Sequence, residues 1–475
     1  MVTTRIFDKL HFLLTLKAVG FIFSQEIPNE FFDFKINSFV IDHDQNSWKS
    51  HTNFGPIRNS TVNENKINLY RTYVKKRDDD SINVIANIGT NSNNLGSTIY
   101  GFGKLNYKNL YSYFYSRIVN NTNHLQRYTG IPRDISRFGY NSGETDISGI
   151  GYQDRNFIFQ YGRGRQSWGA GEEIQLALSE TSPSYDYGLL SFSKNNWRIR
   201  YFHGFLESDS SVNRYINGKG VEWTNRKTFV ISFSEIVVYA GLNRPLDLAY
   251  LNPISSHLEI EMNNRQNKLG TDSGNAVWLG SLDWKLYEKY RFSFNYLIDE
   301  FVLDKIQKNQ GKNHGLAWSS RLSSANKIKN NMITFYGSII YVGTNTFRHE
   351  DGANNFVQRS KPLGWKYGSD SQQFLVGVKC FNLKNLIYKI DFGYREKGNH
   401  SIENTPYLAY DNYYKTPFPS GIINKQNFIN AEFEFWYKKN ISFYSQFEYL
   451  TSNLIDNDYK FIIGFDYYYF KHYKI

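Results

Sequence analysis

The sequence predicts an all-β protein, a transmembrane antiparallel up-and-down β-barrel of about 18 strands with a small N-terminal periplasmic helical element. Three observations carry that prediction. With 37 Tyr and 37 Phe but only 3 Met and 10 Pro in 475 residues, the chain is rich in residues that suit a pleated surface. Mean hydropathy is −0.54, and no segment after residue 25 approaches the roughly 20 apolar residues of a spanning helix. From Ser81 onward, segments of about ten residues alternate apolar and polar positions, the length that crosses a membrane as a tilted strand.

The first 25 residues, MVTTRIFDKLHFLLTLKAVGFIFSQ, place Arg5 and Lys9 ahead of an apolar stretch from Phe12 to Phe23, with the small Ser24 before Gln25. This is the layout of a secretory signal peptide, and Lys17 inside the apolar stretch leaves an amphipathic helix as the alternative. Residues 26–80 are less regular and are assigned to a periplasmic N-terminal segment. There Thr61 and Glu64 have capping-box spacing, and Ile67, Tyr70 and Val74 fall on one helical face, which predicts a short helix ending near Lys76. Asp78–Asp80 reads as a solvated linker. Residues 81–475 make up the barrel.

Within the barrel, Phe157, Phe159 and Tyr161 share one face of NFIFQYG while Asn156 and Gln160 take the other. The same division puts Phe292, Phe294, Tyr296 and Ile298 on one face, and Ala431, Phe433, Phe435 and Tyr437 opposite Asn430, Glu432 and Glu434. A soluble sandwich shows this alternation too; the connections separate the two. Tight links occur at 106–109, 153–156, 194–197, 225–227, 288–290, 326–331, 382–385 and 437–440. Long ones are expected at about 120–143, 164–186, 206–218, 242–274, 301–313, 343–371 and 396–425, so that short and long alternate throughout. One rim of a membrane barrel carries tight periplasmic turns and the other long extracellular loops. Eight tight turns imply sixteen strands, and a first strand near 82–90 and a last near 459–470 raise the number to eighteen.

The net charge of +11 and pI near 9.2 are spread along the chain without a basic block, so a nucleic-acid arm is not expected. Cys380, the lone cysteine, sits in the apolar run FLVGVKCF and reads as filler, with no metal or redox motif and no cofactor implied.

Three segments, in order, resemble the capsule assembly Wzi family of outer-membrane proteins: YGRGRQSWGAGEEIQLALS (161–179), NAVWLGSLDW (275–284) followed by LIDEF (297–301), and PLGWKYGSDSQQF (362–374). The resemblance implies a barrel of about this strand number, a helical element at the periplasmic side, and a lectin-like role in attaching capsular polysaccharide to the cell. It departs at ETSPS (180–184), where many relatives carry an Asn, Arg and Pro cluster, and the N-terminal region has no clear counterpart.

Sugar binding needs aromatic faces for rings, planar donors and acceptors for hydroxyls, and cations for acidic sugars. The loop from Arg163 to Glu173 offers Arg163, Arg165, Gln166, Trp168, Glu172 and Glu173 among glycines; the alternative reading is an Arg165–Glu172 ion pair stiffening a plug. The loop at 242–274 adds Asn243, Arg244, Asn263, Asn264 and Arg265, and that at 343–371 adds Arg348, Arg359, Lys361 and Trp365. Such basic loops attract either an anionic polymer or the phosphates of lipopolysaccharide. For an enzyme, Ser255, Ser256 and His257 and the pair Asp299 and Glu300 are the available groups, without a nucleophile elbow, a zinc motif or a phosphate loop. GTDSGN (270–275) lacks Ca²⁺-loop spacing and reads as a turn. The expectation is a monomeric, non-catalytic barrel in the outer membrane that holds capsular or extracellular polysaccharide, with a porin or sugar channel and an outer-membrane hydrolase as alternatives.

Overall fold

The computed structural model describes residues 52–55 and 81–474, apart from 126, 155, 268–273, 301, 303–304, 383–384, 410–416 and 439. The expected signal peptide, the helix expected over 61–76, Asp78–Asp80 and most of the turn at 270–275 lie outside the described residues.

Among the described residues, eighteen strands form one closed antiparallel sheet. In order these are β1 (Ser81–Ser92), β2 (Ser97–Tyr107), β3 (Leu110–Val119), β4 (Ser142–Gln153), β5 (Phe157–Gly164), β6 (Tyr185–Lys194), β7 (Trp197–Asp209), β8 (Val212–Thr224) and β9 (Phe229–Leu242). They continue with β10 (Gly274–Leu286), β11 (Tyr290–Glu300), β12 (Gly315–Ile328) and β13 (Asn331–Val342). A small hairpin of β14 (Val357–Gln358) and β15 (Lys361–Pro362) stands apart, before β16 (Ser371–Asn382), β17 (Leu386–Lys397), β18 (Asn424–Lys438), β19 (Ile441–Ser452) and β20 (Asp458–Lys474). Closure is made by β1 on β20, where Ser81 faces Lys474, so the first and last strands begin and end at one rim. A closed ladder leaves no backbone edge unpaired, which is the condition for crossing lipid with strands.

All eight tight turns fall where the sequence predicts them, on the rim shared by the barrel ends. The expected long connection at 206–218 is instead a hairpin: Asp209 pairs with Val212 across Ser210 and Ser211, both at positive φ. Its flanks, Glu207–Asp209 and Val212–Arg214, are polar apart from Val212, so the alternation that marks a membrane strand is lost at the tip although the ladder continues. Tight links at 93–96 and 453–457 also lie on the long-loop rim, so the alternation of short and long connections has three exceptions.

The two faces separate as the pattern predicts. On β5, Phe157, Phe159 and Tyr161 are exposed, while Gln160 is buried among Tyr111, Tyr113 and Tyr187, whose hydroxyls it meets at 2.6–2.9 Å. Inward apolar residues of β5–β13 join loop residues in a core inside the barrel around Trp168, Phe202, Leu176, Ile216, Ile236 and Val277. A barrel of this strand number has a bore too wide for wall side chains alone to fill, which leaves room for an aqueous channel or for loops that fold inward.

Candidate ligand site in the barrel lumen

The connection between β5 and β6 folds into the bore. Trp168 bridges Leu178 within the loop and Phe54 from the N-terminal segment, with its ring 4.6 Å from Phe54 and 5.2 Å from Phe202. Thr52–Gly55, the described part of the expected periplasmic segment, therefore lies inside the lumen. Gly55 N donates to Ser167 O at 2.9 Å and Gly169 N to Asn53 O at 2.8 Å, while Asn53 also reaches Glu222 and Ser232 on the wall. Arg200, fully buried on β7, donates to the carbonyls of Phe54 and Gly55.

A second loop, 343–370, closes on the first from the long-loop rim. Trp365 N donates to Leu176 O at 3.1 Å, Ser179 N to Leu363 O at 3.1 Å, and Ser179 Oγ to Gly364 O at 2.6 Å. A Cβ at Gly364 would collide with the Leu176 carbonyl, which is why the turn after Leu363 takes glycine. The remaining resembling segment, 275–284, enters through Val277 and Leu279, which pack in the same core as Trp168. Beside it, Asn295 on β11 accepts from Ala170 N at 2.7 Å, and Asp299 accepts from Phe347 N. All three segments that carry the resemblance thus meet in one core, two of them as plug loops and 275–284 as the wall strand β10 against which they pack.

Between plug and wall, on the side of β16–β20, lies a cavity of about 600 Å³. It runs from Asn93, Leu95 and Asn123 at the long-loop rim to Ile387 and Glu434 near the opposite one. Trp365, Tyr367, Tyr336 and Tyr444 line it, together with Arg127, Arg321, Lys366, Lys379, Lys389, Arg395 and Lys460 and the carboxylates of Glu172, Glu173, Glu180, Asp391, Glu432, Glu434 and Glu448. Glu172 accepts from Lys379 at 2.6 Å and from Arg321 at 3.0 Å. Burial pushes its carboxyl up, but these two cations outweigh burial and hold it below the usual carboxylate range. Glu173 pairs with Lys389 at 2.6 Å. Burial raises Glu180, whose carboxylate has one side-chain donor, Ser167 Oγ at 2.9 Å. The Arg395 guanidinium lies 3.2 Å from the Tyr367 ring centre and 4.6 Å from that of Phe428.

The sequence-predicted residues are split by this arrangement. Glu172 and Trp365 line the cavity. Trp168 is fully buried between Phe54 and Phe202, so its ring is not offered at the rim as expected. Gln166 is buried beside it, accepting from Trp168 Nε1 at 3.3 Å. Arg165 is buried and pairs with Asp146, not with Glu172: the plug reading holds in kind but with other partners for each residue. Arg163 meets Asp186 at 3.5 Å at the end of β5. Asn243 is exposed at the start of the 243–273 loop, and Arg265 is half-exposed and paired with Glu259. Arg244 is fully buried, 4.8 Å from the Tyr239 ring centre and paired with Asp247, so it is packing rather than contact surface.

Sequence reasoning missed most of the cavity's cations. Their signal was available: Lys379, Lys389 and Arg395 interrupt aromatic strands on the inward parity, as Glu432 and Glu434 do. The groups weighed for hydrolysis are otherwise engaged. Ser256 caps a short helix by accepting from Glu259 N, His257 meets Tyr250 at 3.0 Å, Asp299 holds the Phe347 amide, and Glu300 pairs with Lys312 at 2.7 Å.

No protein-family model matches this sequence, and no curated protein does. Among solved structures it is similar to Wzi of Escherichia coli, described as an outer-membrane carbohydrate-binding β-barrel involved in group 1 capsule assembly, with a TM-score of 0.64 and 12% identity over 93% of this chain and 99% of that one. The chain has the fold of an outer-membrane β-barrel. The likeness agrees with the resemblance read from the three segments that meet around Trp168. A BenF-like porin of Pseudomonas fluorescens (TM-score 0.45, 9% identity, 82% of this chain and 98% of that one) and OprD of Pseudomonas aeruginosa (0.44, 10%, 82% and 95%) share the general barrel class.

Proposed function

We propose that this protein sits in the outer membrane of a Gram-negative cell and binds surface polysaccharide without catalysis, holding capsule or exopolysaccharide at the cell. The observation that carries this is the cavity beside the plug. Its volume suits a short stretch of glycan. Its lining combines aromatic rings with paired charges of both signs, the chemistry that recognises hydroxyls and acidic sugar groups. Trp365, Glu172, Arg127 and Lys460 are the contacts assigned to the bound chain within the cavity; Arg163, Asn243 and Arg265 meet the polymer outside it. The remaining predicted residues, Arg165, Gln166, Trp168 and Arg244, support the site by packing.

One observation favours a second reading: the cavity extends along much of the barrel height, as a solute pathway would. Two measurements separate the readings. Binding of purified surface polysaccharide to the detergent-solubilised protein, weakened by Lys460→Ala and Trp365→Ala, supports attachment. Steady single-channel conductance in planar bilayers, with no polysaccharide binding, supports the channel and overturns attachment.

A further inference from the structure

The connection from β9 to β10 does not rise into solvent. In β9, Ile236 and Val238 belong to the lumen core, so Glu235, Val237 and Tyr239 point to the outer wall. There they are buried by the loop, whose α1 (Leu248–Leu251) and α2 (His257–Met262) lie against the outside of the barrel. Tyr215, Val237, Tyr239, Ala249, Tyr250 and Ile260 form a core separate from the internal one. Tyr215, Tyr239 and Tyr250 stack at 5.0 and 4.5 Å. The loop also covers an outward ion pair. Lys219 meets Glu235 at 2.8 Å, and Glu235 accepts from His257 N at 3.1 Å and Trp278 Nε1 at 3.2 Å, while Lys219 donates to Ser255 O. A bare charge pair facing lipid destabilises a barrel, and here the loop removes it from lipid.

The next outward row toward the short-turn rim is Ile199, Val221 and Phe233, all exposed. Exposed outward apolar residues run from Leu110 to Ile118 on β3, which at about 2.5 Å of height per tilted residue is about 20 Å. On β9 the outward apolar residues left uncovered by the loop run only from Phe229 to Phe233, about 10 Å by the same rise, against the ~25 Å a membrane barrel presents to lipid. The missing height is where the loop lies. Its exposed residues include six large apolar ones, Leu246, Leu248, Leu251, Ile254, Leu258 and Met262, four of them on the two helices, with polar residues such as Asn263, Asn264 and Arg265 following α2. Leu258 and Met262 stand one turn apart on α2, opposite the buried His257 and Ile260.

We infer that the β9–β10 loop is a membrane-embedded outer buttress: its exposed apolar face contacts the acyl chains of the outer leaflet and completes the lipid belt over β7–β10. The occupant is lipid because the loop takes up the height of the outer wall that the uncovered strand residues, ending at Ile199, Val221 and Phe233, leave short of a full lipid belt, and it carries exposed Leu, Ile and Met side chains there. This goes beyond the ligand reading and rests only on the barrel lying in a membrane. It also removes most of this loop from the surface available to polysaccharide.

The test uses the full chain with Cys380→Ala and single cysteines at Leu258 or Ile254, labelled with an environment-sensitive fluorophore and reconstituted in phosphatidylcholine vesicles. Labels at Phe114 and Asn123 serve as lipid-facing and aqueous references. The Leu258 and Ile254 labels are expected to lose most of their emission with chain-brominated lipid, as Phe114 does, and to resist aqueous iodide. Quenching by iodide instead, with Phe114 still quenched by lipid, overturns the buttress while leaving the membrane placement intact. Shielding from both quenchers overturns it in favour of cover by protein, either a second copy or a partner. Failure of Phe114 to respond to lipid overturns the membrane placement itself.

Discussion

Trp168→Ala probes the plug most directly. The side chain is fully buried, its ring is packed on Phe54 and Phe202, and its backbone joins Leu178 and the N-terminal segment. Truncating a buried Trp costs about 3–5 kcal/mol in transfer and cavity terms. None of that loss falls on the strand ladder, because Trp168 lies in a loop, so it is expected to lower the free energy of local plug opening and not of barrel unfolding. At about 1.4 kcal/mol per tenfold, the plug amides should exchange at least about a hundredfold faster. The readout is hydrogen exchange at the amides of Trp168, Gly169 and Gly55, which donate to Leu178, Asn53 and Ser167, with β12 and β13 amides as the reference. Polysaccharide binding should fall in parallel, through loss of the wall that the plug contributes to the cavity. Unchanged protection at these three amides, or equal loss in the strands, would refute the view that Trp168 locks the plug independently of the barrel.

Further outcomes follow from the same geometry. Gly364→Ala should push loop 343–370 off Leu176 and raise bilayer conductance while the folded barrel keeps its heat-modifiable mobility on gels. Glu172 has a depressed pKa in the folded protein, so its contribution is present above the ordinary carboxylate value of 4.5 and is lost as pH falls below it; plug protection should weaken in acid, and Glu172→Gln should reduce that pH dependence, leaving the part carried by Glu173, which is depressed too. Glu180 is raised by burial, so its sign is opposite: its charged form opposes folding as pH rises, and Glu180→Gln should slightly raise the thermal midpoint at neutral pH, as read by calorimetry. Lys219→Met, which leaves Glu235 buried without its cation, should destabilise the β9–β10 loop by roughly 3–5 kcal/mol, seen as faster proteolysis within 243–273.

The fold was legible because a membrane strand must solve a local problem. Every second residue meets lipid, every other one meets the bore, and the tight turns at 153–156 or 382–385 fall where that alternation stops. The reading failed at 206–218, where the strands β7 and β8 extend beyond the apolar belt and, Val212 apart, their ends turn polar. The site was legible in part. The sequence points to the segments around Trp168 and Leu363 as loops and to that around Val277 as a strand, but only the structure brings the three together inside the barrel. Trp168 suits sugar stacking by residue type alone; only Phe54, brought from more than a hundred positions earlier in the chain, takes that surface instead.

Sequence alone therefore determined the strand number, the two faces of each strand and the rim that carries the tight turns. These depend on periodicity and turn chemistry, which act over a few residues. Tertiary structure decided that loop 165–184 turns inward, that Lys379 and Arg321 rather than Arg165 neutralise Glu172, and that loop 243–273 turns outward over Lys219 and Glu235. A loop with both apolar and charged residues is soluble in neither lipid nor an empty bore. Which way it folds is settled by where the closed wall offers a complementary ion or an uncovered apolar row, and no local pattern contains that information.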